Sequence, residues 1–130
     1  MDILTFKIVD KIYAINLDNA IKIIRNEKIF PSPVKERFIV GNILYKTHIV
    51  PVMDFTKYNN SRIEKNNKEY DFILITNINK IYFAILINKI GDIIKDVKIE
   101  KRDNILNEVK LSTQSIIYLI NLENILLKKE

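Results

Sequence analysis

FIVGNILYKTHIVPVMDF, residues 38–55, decides the fold. Residues 38–45 and 48–53 are two runs rich in Ile, Val and aromatic side chains, each of ordinary strand length. Only Lys46 and Thr47 separate them, and so short a connection between two such runs predicts a hairpin. Asp54 follows at once and can cap a turn over residues 55–58 with a side-chain oxygen.

The flanks repeat the pattern. Residues 3–9 and 11–17 alternate apolar with polar around Asp10-Lys11 and predict an opening hairpin. Asp18 or Asn19 can cap a helical turn through Ala20, Ile21, Ile23 and Ile24, but so many β-branched residues make weak helix, and continuation as strand stays open. Pro31 and Pro33 each remove a backbone donor, which predicts a surface crossing. The stretch NNSRIEKNNKE, residues 59–69, is almost wholly polar and reads as the chain's one evident linker. It divides a single 1–130 domain into lobes at about 10–66 and 67–130, with the N-terminal strand and the C-terminal helix crossing between them. Residues 72–77 and 80–88 predict a third hairpin around Asn77-Ile78-Asn79, since Asn accepts positive φ. Residues 93–99, 108–111 and 115–120 are further strand candidates, and residues 122–129 form an amphipathic helix with Lys128 and Lys129 in its favourable last turn. Short strands at close spacing with no long helix between them predict an all-β fold, closed into small barrels that leave no exposed edge.

Composition narrows the function. A chain of 130 residues that is 48% hydrophobic has room for one well-cored domain. No apolar run is long enough to span a bilayer and the N-terminus turns polar too soon for a signal peptide, so the expected place is the cytoplasm. The absence of Cys removes disulfides, thiolate metal sites and cysteine nucleophiles. The net charge of +5 is spread singly among acids rather than gathered in a stripe, which argues against nucleic acid as the partner.

The motifs resemble a known family. Tyr13-Ala14-Ile15-Asn16-Leu17, then Ile21, Ile23 and Ile24, the Pro31/Pro33 segment, Gly41 and Ile49-Val50-Pro51-Val52-Met53-Asp54-Phe55 stand in the order and spacing of the CheW family. Phe72-Ile73-Leu74-Ile75, residues 84–90 and residues 118–126 extend the resemblance over nearly the whole chain. Each motif alone is a moderately specific apolar pattern; their joint order carries the resemblance. It implies two small five-stranded, SH3-like β-barrels sharing a core, with short helices including a C-terminal one. It implies a non-catalytic adaptor that bridges the cytoplasmic tip of chemoreceptors to the regulatory domain of the histidine kinase CheA, without cofactor, metal or membrane insertion. That regulatory domain has the same fold, but 130 residues holding no kinase, phosphoacceptor or dimerisation segment favour the free-standing adaptor. The receptor-binding set it implies is Ala20, Lys22, Ile23, Gly41, Lys46, Phe72, Ala84 and Ile90.

Departures from the family pattern fall near the receptor groove that the resemblance implies. Leu44, Tyr45, Lys46 and Thr47 stand where the family usually reads Asn-Leu-Arg-Gly, and the Lys46 ammonium cannot make the planar two-pronged bond of a guanidinium. Lys22 stands where the family has Glu, Asn88 where it has Asp, and Ala84 where it has Gly. Together these changes, the charge reversal at Lys22 among them, predict an atypical receptor, a weaker one, or a role confined to the array lattice, against the plain alternative of drift in an Asn-, Ile- and Lys-rich genome.

No other chemistry competes strongly. His48 is the sole histidine and has no second metal ligand nearby in sequence. Asp54 reads as a helix cap sooner than as a catalytic carboxylate, and no phosphate loop, nucleophile elbow or zinc helix occurs. Two alternatives remain: an oligonucleotide binder that gathers Tyr45, Lys46, Lys80 and Tyr82 on one face, and a self-assembling barrel subunit. Ile39, Ile43, Ile73, Ile75, Ile85 and Ile87 are expected in the core.

Overall fold

The computed structural model describes residues 1–33, 36–58, 69–99, 105–110 and 116–127. Its strands are β1 (Ile3–Ile8), β2 (Lys11–Asn16), β3 (Ala20–Arg25), β4 (Ile39–Tyr45), β5 (His48–Met53), β6 (Phe72–Ile78), β7 (Ile81–Ile87), β8 (Lys89–Ile94), β9 (Leu106–Lys110) and β10 (Ile116–Ile120), with helices α1 (Phe55–Tyr58) and α2 (Leu122–Leu127). The all-β expectation holds. Four hairpins form antiparallel pairs: β1 with β2, β4 with β5, β6 with β7, and β9 with β10. Three of them turn through two residues, and none uses Gly at its positive-φ position: Val9 stands at 59°, Lys46 at 54°, and Asn79 and Lys80 at 51° and 70°. The last pair has the two left-handed residues of a type I′ turn, whose twist matches that of the strands it joins.

The chain divides into two compact units, one made of Met1–Ala20 with Ile90–Glu130, the other of Ile21–Lys89. This partition differs from lobes cut at 66/67. The second unit is a continuous insertion between β2 and β8, and its limits fall in or beside strands, where no change of composition marks them. The first unit's sheet runs in the order β8-β1-β2-β10-β9. Ile3, Ala14, Val109, Ile117 and Leu119 form its core cluster, with Ile94, Val97 and Ile99 packed against them. Thr5 fastens the edge strand β8, because its hydroxyl donates to the Asp92 carbonyl (2.9 Å) and accepts from the Asp92 N–H (2.7 Å). Gly91 permits that approach: a Cβ there would stand 2.9 Å from the Thr5 carbonyl oxygen.

The second unit's sheet runs β3-β6-β7-β5-β4. The six isoleucines expected in the core are all buried, the most exposed at 8%. Each such side chain contributes roughly 1.5–3 kcal/mol in transfer terms. The expected closed barrels are not what the ladders form, since both sheets are open in their pairing order among the described residues. In the second unit the sheet nevertheless curls until Ile24 and Arg25 of edge strand β3 and Ile43 and Leu44 of edge strand β4 line one groove of about 540 Å³. Phe30 covers part of the β4 edge by exchanging both backbone hydrogen bonds with Asn42 (2.9 and 2.8 Å).

Gly41 makes that cover possible. It sits at a register shift in the β4–β5 ladder, and a Cβ there would stand 2.6 Å from the Phe30 carbonyl oxygen, a backbone atom that cannot swing aside. Gly41→Ala is expected to lower stability by about 1–3 kcal/mol, read as a fall in the urea midpoint at unchanged slope. An unchanged midpoint would mean that the 30/42 pairing is loosely held.

Candidate functional site

The residues implied by the family resemblance lie on several strands. Ala20 opens β3 half-buried, Lys22 is exposed on it, and Ile23 is partly buried. They form strand rather than helix: the 3₁₀ turn Leu17–Asn19, capped by the Asn16 side chain accepting from the Asp18 N–H (3.0 Å), ends at Ala20 in extended geometry. The cap is therefore Asn16 and not Asp18 or Asn19, and the β-branched run that follows continues as strand. Lys46 is exposed in the β4–β5 turn, Phe72 opens β6 partly buried, and Ile90 is 42% exposed on β8. Gly41 is buried and Ala84 is fully buried in the middle of β7, so neither presents a side chain outward. Asn88 holds the turn between β7 and β8 by donating to the Glu69 carbonyl (3.3 Å). Ala20 and Ile90 belong to the first unit and the other six to the second.

One end of the second unit gathers aromatic and cationic groups. Val52 pairs with Ala84 and Met53 with Ile85 in a parallel ladder, so β5 and β7 start side by side and the turns at 46–47 and 79–80 share an end of the sheet. Tyr45 and His48 are cross-strand partners, and both rings meet Tyr82, Tyr45 edge-on at 5.7 Å and His48 tilted at 4.5 Å. The Lys46 ammonium lies 5.5 Å from the Tyr45 ring centre, within cation–π range. Tyr45, Lys46 and Tyr82 are thus brought together as the oligonucleotide alternative required, with Lys80 in the neighbouring turn. His48, set aside as a lone histidine in the sequence, joins them through a ring contact; the parallel register that brings it there is a long-range pairing that local patterning does not reveal.

Asp54 is a structural hub. It is fully buried, and its Oδ1 accepts from the Thr56 N–H (3.0 Å), the Thr56 hydroxyl (2.6 Å) and the Tyr70 hydroxyl (3.1 Å). It caps α1 as expected. Tyr70 is held from its other side as well, because Asn26 Nδ2 donates to the Tyr70 carbonyl (2.7 Å) and the Asn26 N–H to the Asp71 carbonyl (3.0 Å). Among the described residues no group of three His, Asp or Glu side chains is placed to hold a metal ion, and no helix is long and apolar enough to cross a membrane.

Comparison with known proteins gives one family and one fold. The CheW-like domain family matches residues 2–130. The crystal structure of scaffolding protein TtCheW from Thermoanaerobacter tengcongensis superposes with a TM-score of 0.77 at 17% sequence identity, over 92% of this chain and 88% of that one. No curated protein sequence matches.

Burial pushes the Tyr70 hydroxyl up to about 12; Asp54 and Glu69 add to the rise and the Thr56 hydrogen bond opposes it. The unfolded chain loses the same proton near 10, so the native state's advantage is whole below pH 10 and is lost as pH rises through 12. Tyr70→Phe is expected to cost about 1–3 kcal/mol at pH 8 and to make the fall in thermal midpoint between pH 10 and 12 shallower than in the unsubstituted chain. Parallel curves in calorimetry would show that Tyr70 does not carry the alkaline sensitivity.

Proposed function

The chain belongs to the CheW-like domain family, and from that premise we propose that it is a non-catalytic adaptor of chemotaxis signalling, joining the cytoplasmic tip of a chemoreceptor to the regulatory domain of the histidine kinase CheA. The observation that carries this reading is the family match over residues 2–130. The site supports it in two ways. Among the described residues the fully buried carboxylate of Asp54 serves as a cap, and the most exposed of the large hydrophobic side chains are Leu44 at 66% and Ile49 at 67%. Exposed aliphatic side chains of this kind suit association.

The adaptor works in the cytoplasm, where both partners present these surfaces. Of the set that the family resemblance implies for receptor contact, Lys22 and Lys46 of the second unit and Ile90 of the first are exposed. Gly41 and Ala84 contribute by letting backbone and strand pack closely beneath. Lys22, an exposed cation on an edge strand, sets receptor preference by repelling basic and attracting acidic surfaces.

Calorimetric titration of the purified chain into the CheA regulatory domain, and separately into a receptor-tip bundle, tests this. Binding to both is expected. Lys22→Glu is expected to change the receptor-tip dissociation constant by about tenfold and leave kinase binding unchanged. Binding to neither partner at concentrations on the order of tens of micromolar would sink the adaptor reading.

A further inference from the structure

The groove of about 540 Å³ in the second unit is a gap between strand edges rather than a hollow in a face. Consecutive residues line it from each side, Ile24 and Arg25 of β3 and Ile43 and Leu44 of β4. Neighbours along a strand point to opposite faces, so a wall built from both members of such a pair is the edge of the strand. On β4 that edge is covered only in part. Asn42 exchanges both backbone bonds with Phe30, so its N–H and C=O point outward, and those of Leu44, two residues on, point the same way. The antiparallel register that sets Phe30 against Asn42 would set Lys28 against Leu44, but Lys28 has a φ of 58°, which takes the chain out of extended geometry at the residue that should pair. Among the described residues no backbone group answers Leu44 across the groove. The first unit fills the comparable place: after edge strand β8 the chain packs Val97 and Ile99 against a core cluster that includes Val109 of edge strand β9.

We propose that this groove takes an extended, aliphatic-bearing segment of a partner polypeptide, added to β4 as a short strand. None of the lining residues belongs to the receptor set, so the contact goes beyond the adaptor reading. Two demands fix the occupant. Leu44 offers an outward donor and an outward acceptor, and a backbone in extended geometry meets both at once, as in strand addition to an open sheet edge. Beside them stand Ile24, Phe30 at 40% exposure and the exposed Leu44 side chain, so the segment gains by carrying an aliphatic side chain into the gap. The lip carries Arg25 and Lys28 with Glu27, charges of both signs, which ask no net charge of the segment. A second copy of this chain meets these demands less well. The β4 edge of a folded copy is itself covered at Asn42 by Phe30, and a strand already paired in a sheet brings its neighbours with it, whereas a single extended segment enters between β3 and β4 alone.

The test titrates the whole isotope-labelled chain with capped pentapeptides of the pattern Thr-X-Thr-X-Thr, where X is Val, Ile or Leu, and with the same peptide carrying Ser at X. Amide shifts and hydrogen exchange are followed together. The Leu44 amide is expected to exchange freely in the chain alone and to become protected, with shifts over residues 24–30 and 42–44, when an aliphatic peptide is added; the Ser peptide is expected to bind about tenfold or more weaker. The peptides are then made with one backbone nitrogen methylated at a time, which removes a donor and keeps every side chain. Affinity is expected to fall about tenfold at the position facing Leu44. Leu44→Pro removes the matching donor from an edge position, where Pro is tolerated, and is expected to weaken binding to the same degree. If that variant fails to fold, the methylated peptides decide. A Leu44 amide already protected in the chain alone, protection that grows with chain concentration and needs no peptide, absence of shifts at the groove with all three aliphatic peptides, or binding indifferent to methylation at every position would each overturn the proposal. The adaptor reading is decided by its own titrations and stands or falls separately.

Discussion

The pairing of Val52 with Ala84 and of Met53 with Ile85 is the contact on which the second unit depends. Hairpins form locally, but a lone two-stranded hairpin is marginal in water, and β4–β5 and β6–β7 become one sheet only through this parallel ladder. Parallel strands cannot be joined by a tight turn, so the contact is long-range by nature and has to be specified by packing. Ala84 is fully buried there, as is Val52. A larger side chain at 84 would force the two hairpins apart, which gives this alanine a reason that requires no partner.

The first unit solves the same problem in the same way. Its hairpins β1–β2 and β9–β10 are joined by a parallel ladder in which Tyr13 meets Tyr118 and Ala14 meets Leu119, and Ala14 too is fully buried. Laid side by side, the orders β8-β1-β2-β10-β9 and β3-β6-β7-β5-β4 match strand for strand. In each, the strand that closes the parallel ladder runs into a capped short helix: β5 through Asp54 into α1, and β10 through Asn121, whose side chain accepts from the Asn124 N–H, into α2. Lys11-Ile12-Tyr13-Ala14-Ile15 and Lys80-Ile81-Tyr82-Phe83-Ala84-Ile85 are the sequence trace of this repetition. One inserted residue between Tyr and Ala obscures it, and β3 and β8 blur it further, because each follows a strand of one sheet and pairs in the other.

What could be read in advance follows from the range of the interaction involved. The β4–β5 hairpin, the Asp54 cap and the six core isoleucines are local consequences of alternation and turn chemistry, and all stand as expected. The turn after β6 lies at Asn79-Lys80 rather than at residues 77–79, because Ile78 still pairs with Ile81. The strand expected at 93–99 lies earlier, at Lys89–Ile94, since Thr5 grips Asp92 and the ladder ends there. The polar run at 59–69 suggested a boundary, yet the chain beside it is tied into the second unit: Glu69, Tyr70 and Asp71 all offer carbonyls that Asn88 or Asn26 binds. Residues 59–68 themselves lie outside the described residues. Expectations for residues 111, 115, 128 and 129 lie outside the described residues.

The candidate site shows the same division. Lys22, Lys46 and Ile90, which the resemblance implies as receptor contacts, are exposed, whereas Gly41 and Ala84 serve packing: one lets Phe30 ride onto an edge strand, the other lets two hairpins meet. A protein that works by joining others gains affinity when its contact surface loses little freedom on binding. Here that rigidity starts from buried small residues. Ala84 fixes the β5–β7 register, the register puts the turns at 46–47 and 79–80 at one end, and that end holds Tyr45, His48 and Tyr82 against one another. A substitution at Ala84 would therefore disturb this aromatic cluster through the frame, without a change at any exposed position.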